Sequence, residues 1–383
     1  MIIIYNDMYY KKISRVELED ARRRGNSENI NSPNYYATTD WNLNNIANSD
    51  YSVLKFVETP INGINVPWLY LGMLFSTFCW HNEDNYLYSI NYSHFGEVKQ
   101  WYGVPGENAA SFEKVSKDFY RETFIDAPDM LHHMTTQISV SGLMINKVPV
   151  YHAKQEAKTF IVTFPKAFHC GFSYGFNVGE AVNFALPKWI TFGKDADNRY
   201  RTSSIPRQSV FSHHRLLFTL KSYIQDVDNS AKLEILCQIR DILKEEIDAR
   251  LLIKSLKIPD ISEYSSTAHN NDFKIIDQKA VDYDDQRMCA LCKHVCVFSA
   301  IACECSASAV SCIRHFHLLC KCDKQEIKSK SPKKNRRFLI SWATIETLKA
   351  ELKDCQDLIV TFENIMKTNI PVKSKDESYN FHP

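Results

Sequence analysis

Polar and apolar residues alternate in short runs through the first half of the chain, which predicts strands. Trp68-Leu69-Tyr70-Leu71-Gly72-Met73 and Phe160-Ile161-Val162-Thr163-Phe164 read as two of them. Tyr88 to Pro105 is β-rich with a turn expected near Gly96. Side chains two apart on a strand leave the same face, so Ser89 and Asn91 share one face and Lys99 and Trp101 share a face of the next strand. A hairpin there would present hydroxyl, amide, ammonium and indole groups together. From Ser209 to Ile258 the period changes to three and four, through Leu216, Leu217, Leu220, Tyr223 and Ile224 and then Leu233, Ile235, Leu236, Ile239, Ile242, Leu243 and Ile247, which predicts packing helices. Pro259 to Asp285 is polar and acidic and reads as a flexible connection, and a last helix is expected over Ile345 to Met366, before a polar tail to Pro383.

Composition narrows this picture only a little. A chain of 383 residues with 44% apolar content suits two or three packed domains. A net charge of +1 argues against a uniformly basic nucleic-acid binder, so any such contact must be local. The apolar start Met1-Ile2-Ile3-Ile4 is too short for a signal peptide, and nowhere do about 18 apolar residues run together. The expectation is a soluble, intracellular protein with no membrane contact.

Two groups of residues carry chemistry. Phe78-Cys79-Trp80-His81-Asn82-Glu83-Asp84 is answered far along the chain by Thr163-Phe164-Pro165-Lys166-Ala167-Phe168-His169-Cys170-Gly171-Phe172. His81 and Glu83 would leave one strand face, and a third ligand at His169 would complete one face of an octahedron. Two imidazoles and a carboxylate with three positions left open suit a non-haem iron(II) oxygenase. A dicarboxylic cosubstrate would chelate that iron through one carboxylate and the adjacent keto oxygen, and its distal carboxylate would need a buried cation, for which Lys99 is the candidate.

The second group is cysteine. Of twelve cysteines, seven crowd with His315 into Cys289-x2-Cys292, Cys303-x-Cys305, Cys312-x2-His315 and Cys320-x-Cys322. Eight soft ligands in four close pairs account for two tetrahedral zinc sites. Alternation of pairs would put Cys289, Cys292, Cys312 and His315 on one ion and Cys303, Cys305, Cys320 and Cys322 on the other. Cys296 and His317 are left over as packing or surface residues, and Cys79, Cys170, Cys237 and Cys355 read as reduced core cysteines. Lys324 to Arg337 holds seven basic residues against one Glu, around Ser331-Pro332, and suits a phosphate contact, a nuclear import signal or a solvated loop equally.

The stretch from about Trp41 to Leu220, with Trp41-Asn42-Leu43-Asn44-Asn45, Val66-Pro67-Trp68, both metal segments and Arg207-Gln208-Ser209-Val210-Phe211-Ser212-His213, resembles the JmjC-domain 2-oxoglutarate oxygenases. Within them it is most similar to the lysine-demethylase 5 branch of histone demethylases. The resemblance implies a mainly β fold with α, a double-stranded β-helix (jelly-roll, cupin-like) core followed by a helical region and a C5HC2-type finger holding two structural zincs. It implies iron(II) on His81, Glu83 and His169, 2-oxoglutarate among Phe78, Ser89, Asn91, Lys99 and Trp101, and a methyl-lysine pocket at Tyr70 and Asn183. The expected reaction is demethylation of the histone H3 tail, at methylated lysine 4, in nuclear chromatin, with release of succinate, carbon dioxide and formaldehyde. The runner-up readings are a catalytically weak or inactive chromatin-interaction protein and a hydroxylase of a non-histone protein. The domain division that follows is 1–40, a divergent N-terminal segment; 41–205, the JmjC domain; 206–258, helical; 259–285, a linker; 286–323, the finger; 324–341, a basic loop with local nucleic-acid contact over 324–337; and 342–383, the C-terminal helix and tail. The first forty residues do not resemble the JmjN segment of relatives, and Tyr35 or Tyr36 would have to replace a tyrosine that reaches the distal carboxylate there.

Overall fold

The computed structural model describes residues 2–5, 35–57, 59–133, 135–260, 287–320, 322 and 336–368. The expected connection over 261–285, the basic run over 324–335 and the tail after 368 lie outside the described residues. Among the described residues nine strands build the first half: β1 (Ile2–Tyr5), β2 (Trp68–Gly72), β3 (Thr77–His81), β4 (Tyr88–Gly96), β5 (Lys99–Val104), β6 (Tyr151–Gln155), β7 (Thr159–Thr163), β8 (Phe168–Ser173) and β9 (Asn177–Phe184). They form two antiparallel sheets, in the orders β1-β7-β4-β9-β2 and β3-β8-β5-β6. This is the jelly-roll, cupin-like sandwich, with the two inner faces enclosing a cavity. Ile2–Tyr5, from the segment 1–40, adds the edge strand beside β7.

The alternation expected of Phe160 to Phe164 is absent in burial, because every residue of β7 is buried. Phe160 and Val162 point outward into a core with Leu216, Leu217 and Leu220, while Ile161 packs inward beside Trp101 and Ala153. A strand covered on both faces reads as a continuous apolar run.

The hairpin expected around Gly96 is corrected by the structure. Strands β4 and β5 do not pair with each other but lie in opposite sheets. The chain crosses over after Gly96, whose φ of +101° suits glycine and whose absent Cβ would lie 2.3 Å from the Phe176 carbonyl oxygen. The polar face of β4 therefore meets the polar face of β5 across the interior.

Helices cover both outer faces. The first, α1 (Ala109–Phe119), buries Phe112 and Val115 against Trp80, Phe168 and Cys170 of the four-stranded sheet. Over the five-stranded sheet lie α2 (Trp189–Thr202), α3 (His213–Ser222), α4 (Asn229–Ser255) and α5 (Ile345–Thr368). Ile235, Ile239, Leu243 and Ile247 form one apolar stripe on α4, as three-and-four spacing requires. Cys355 sits in that core and donates its thiol to the Leu236 carbonyl at 3.1 Å. No described helix is long and apolar enough to cross a membrane.

The finger's small sheet has the order β11-β10-β12, from β10 (Ser299–Cys303), β11 (Ser306–Ser311) and β12 (Arg337–Ser341). Arg250 of α4, only 2% exposed, ties it to the helices. It donates to Glu246 at 2.7 Å, to the Phe298 carbonyl at 2.8 Å and to the Ala343 carbonyl. Arg250→Ala would strand a buried Glu246 and should lower unfolding free energy by about 3–5 kcal/mol. A urea melt unchanged from wild type would show the pair to be idle.

Candidate active site

His81 ends β3 and His169 lies opposite it on β8, so the two rings stand 4.3 Å apart between centroids. Glu83 follows two residues after His81 in extended backbone (φ −66°, ψ 149°), and its Oε1 comes 3.2 Å from Nε2 of His169. The ligand atoms of all three lie within 4.8 Å of one another. Second contacts fix each of them. Nδ1 of His81 donates to the Cys79 carbonyl at 2.8 Å and Nδ1 of His169 to the Ala167 carbonyl at 3.0 Å. A carbonyl only accepts, so each ring donates through Nδ1 and turns its Nε2 toward the centre, where a metal would replace any proton shared with Glu83. Asn183 Nδ2 donates to the other Glu83 oxygen, Oε2, at 2.9 Å and to the Tyr88 carbonyl at 3.0 Å.

The charges suit a cation. Burial pushes the Glu83 carboxyl up, but the hydrogen bond and charge of His169, the charge of His81 and the Asn183 amide outweigh it and hold the group at about 2. Burial and the neighbouring His169 bring His81 down to about 4, against the opposing pull of Glu83. An ionised carboxylate and a neutral imidazole are the forms that bind metal. Two imidazole nitrogens and one carboxylate oxygen, with the remaining directions opening on a cavity, fit a ferrous ion.

That cavity, about 380 Å³, is lined by residues from both sheets, among them Tyr70, Phe78, Ser89, Asn91, Lys99 and Trp101. Trp101 stacks on His169 with centroids 6.0 Å apart, and the Phe78 ring meets it edge-on at 4.7 Å. Gly171 lets that ring in: a Cβ there would come 2.6 Å from it. The Trp101 indole N–H is spent on Gln155 at 2.9 Å, so the ring is a wall and not a donor to a ligand. Ser89 shares a hydrogen bond of 2.5 Å with Thr163 and accepts from Asn91 at 3.2 Å. Lys99 has its Nζ 5.8 Å from the centre of the Tyr70 ring and 5.9 Å from that of Phe78. Among the described residues no carboxylate pairs with it, and burial lowers its pKa. Tyr70 is 44% exposed at the rim, its hydroxyl made more basic by burial and by Glu83. Tyr35 is not among the residues lining the cavity, and the side chain of Tyr36 is outside the described residues.

Sequence reasoning passed over several residues that the site uses. Gln155 receives the Trp101 indole and donates to the Asn91 and Thr159 carbonyls. Thr163 holds Ser89, and Arg207 binds Asp84 at 2.6 Å on the cavity wall. Asn183 was expected beside a methylated lysine; its amide N–H groups here go to Glu83 and to the Tyr88 carbonyl.

In the second half the structure brings Cys289, Cys292, Cys312 and His315 into one group and Cys303, Cys305, Cys320 and Cys322 into another, ligand atoms within 4.8 Å in each. Cys312 Sγ is 3.2 Å from His315 Nδ1 and 3.8 Å from Cys292 Sγ, and Cys303 Sγ is 3.8 Å from Cys322 Sγ. All twelve cysteines are unbridged. Four soft ligands converging without a disulfide fit zinc. Cys296 is buried beside the first group, and His317 is exposed.

Comparison with known proteins agrees with this geometry. The family described as JmjC domain, hydroxylase matches residues 68–184, and the C5HC2 zinc finger family matches 289–350. Lysine-specific demethylase 5D of Homo sapiens is 36% identical over 338 residues, 88% of this chain and 20% of that protein. The Pan troglodytes protein of the same name is 35% identical over 338 residues, covering 88% and 21%. Lysine-specific demethylase JMJ17 of Arabidopsis thaliana is 36% identical over 301 residues, covering 76% and 23%. The chain thus spans about a fifth of the length of the curated relatives it matches. The chain carries a JmjC domain on its jelly-roll and a C5HC2 zinc finger after it, and it is similar over most of its length to lysine-specific demethylases.

Proposed function

We propose that this protein is an iron(II)- and 2-oxoglutarate-dependent histone lysine demethylase. The observation that carries the reading is the juxtaposition, in one cavity, of His81, Glu83 and His169 with Lys99, which has no carboxylate partner among the described residues. His81, Glu83 and His169 hold the iron, which with 2-oxoglutarate and oxygen supplies hydroxylation of an N-methyl group; the keto acid leaves as succinate and carbon dioxide. The hydroxymethyl amine then breaks its C–N bond, and formaldehyde departs. Lys99 receives the distal carboxylate of 2-oxoglutarate, since an ammonium buried without a counter-charge favours an anion strongly. Ser89 and Asn91 offer hydrogen bonds beside it, while Phe78 and Trp101 exclude water. Tyr70 supplies an aromatic wall for the methylammonium, and Asn183 keeps Glu83 turned to the metal. The substrate is the histone H3 tail methylated at lysine 4, met in nuclear chromatin, and the basic run over 324–337 adds a local nucleic-acid contact. Two zincs hold the finger. The names of the relatives support the reaction class and the methyl-lysine substrate.

Lys99→Ala should weaken 2-oxoglutarate binding by about 2–5 kcal/mol, the range for breaking a buried charge pair. Iron uptake should stay as in wild type. Calorimetry with iron(II) on metal-free protein and with 2-oxoglutarate on iron-loaded protein measures the two, and unchanged cosubstrate affinity would remove Lys99, and with it this assignment of the cavity, from the account.

A further inference from the structure

The iron-ligand segment runs straight into a turn of unusual shape. Asn85 (φ 50°) and Tyr86 (φ 52°), directly after Asp84, are both left-handed. Asparagine tolerates that region, but for a bulky aromatic such as Tyr86 it is an outlier that persists only where the surroundings impose it. Helix α2 imposes it here. The Trp189 indole donates to the Asn85 carbonyl at 3.0 Å, and the Asn85 N–H donates to the Tyr200 hydroxyl at 3.0 Å. Asn85 itself is fully buried.

One turn earlier on the same helix, Asp197 faces the finger. It is 5% exposed and lies 2.9 Å from Arg201, 3.7 Å from His214 and, through Oδ1, 3.2 Å from Nε2 of His294. His294 in turn donates its Nδ1 proton to the Cys292 carbonyl at 2.7 Å. Polar contacts therefore link a zinc-group cysteine through His294 to Asp197 on α2, and the same helix carries the Tyr200 contact to Asn85, two residues after Glu83.

We propose that α2 is a strut by which the finger holds the Glu83 turn in its metal-binding shape, with Asp197 and Tyr200 as positioning residues. The inference rests on the iron reading given above for its effect on metal, but not for its effect on the turn. Among the described residues no hydrogen bond or ion pair joins Asp197 to the turn or to His81, Glu83 and His169, so a change it causes there passes through the helix. Tyr200→Phe deletes one hydroxyl at constant shape, and Asp197→Asn removes one charge at nearly constant volume.

The test uses the full chain with zinc in place. Iron(II) affinity is measured anaerobically by calorimetry, amide exchange at Asn85 and Tyr86 by mass spectrometry, and zinc content by elemental analysis. Both variants should bind iron(II) about tenfold more weakly, the usual effect of losing a contact behind a metal ligand. Both should exchange faster at the turn while keeping the zinc content of wild type. Unchanged iron affinity in both, with folded protein, would overturn the proposal. An effect in Tyr200→Phe alone would overturn the part played by the finger. Should Asp197→Asn fail to fold, His294→Gln tests the same link with the same outcomes. If wild type takes up no iron at all, the iron reading fails, and faster exchange at the turn in Asp197→Asn still decides for the strut, unchanged exchange against it.

Discussion

His169→Ala should abolish iron(II) uptake and with it all turnover. Losing a contact one step behind a ligand costs about 10–100-fold in metal affinity, so deleting a ligand costs more. Glu83 also loses the imidazole 3.2 Å away that helps keep it ionised. The fold should survive, because β8 stays paired to both β3 and β5 through backbone hydrogen bonds. Elemental analysis should find zinc at the wild-type level and no iron. Iron retained at wild-type affinity would place the metal elsewhere.

Cys312→Ser should be as drastic at the other end of the chain. Cys312 stands 3.2 Å from His315 and 3.8 Å from Cys292, so it is central to its group. Structural zinc in small fingers supplies roughly 10–16 kcal/mol of binding free energy that is also folding free energy. The buried apolar residues packed around this group are few, Cys289, Cys292, Cys296, Ala300 and Cys312, and cannot replace it. Zinc content should fall by one per chain, and limited proteolysis should open residues 287–320. Cys296→Ser, next to the group but outside it, should keep both ions. Full zinc content in Cys312→Ser, or a protease-resistant finger, would rule out the assignment.

The parts legible in the sequence are those in which local spacing is itself the chemistry. His81 and Glu83 are two apart, and an extended backbone sends both the same way whatever surrounds it. The four close pairs, Cys312 and His315 among them, are two or three positions apart, which already brings two ligand atoms together. Long-range partnership was harder to read. A glycine between two alternating runs signals a hairpin and a crossover alike, so Gly96 gave no sign that β4 and β5 lie in different sheets. Gln155 and Thr163 are ordinary polar residues on strands, and only the register that sets them against Trp101 and Ser89 gives them work. The left-handed backbone at Asn85 and Tyr86 is imposed by Trp189 and Tyr200, about a hundred residues away, and leaves no local pattern.

The central claim, that the cavity demethylates lysine, is tested most directly by mass spectrometry of a histone H3 peptide trimethylated at lysine 4. The peptide is incubated with purified protein, iron(II), ascorbate and 2-oxoglutarate. The account predicts stepwise loss of methyl groups, with one formaldehyde and one succinate formed for each, and no reaction when 2-oxoglutarate is omitted or His169→Ala is used. A peptide that keeps all its methyl groups while wild-type protein holds iron and consumes 2-oxoglutarate would contradict it.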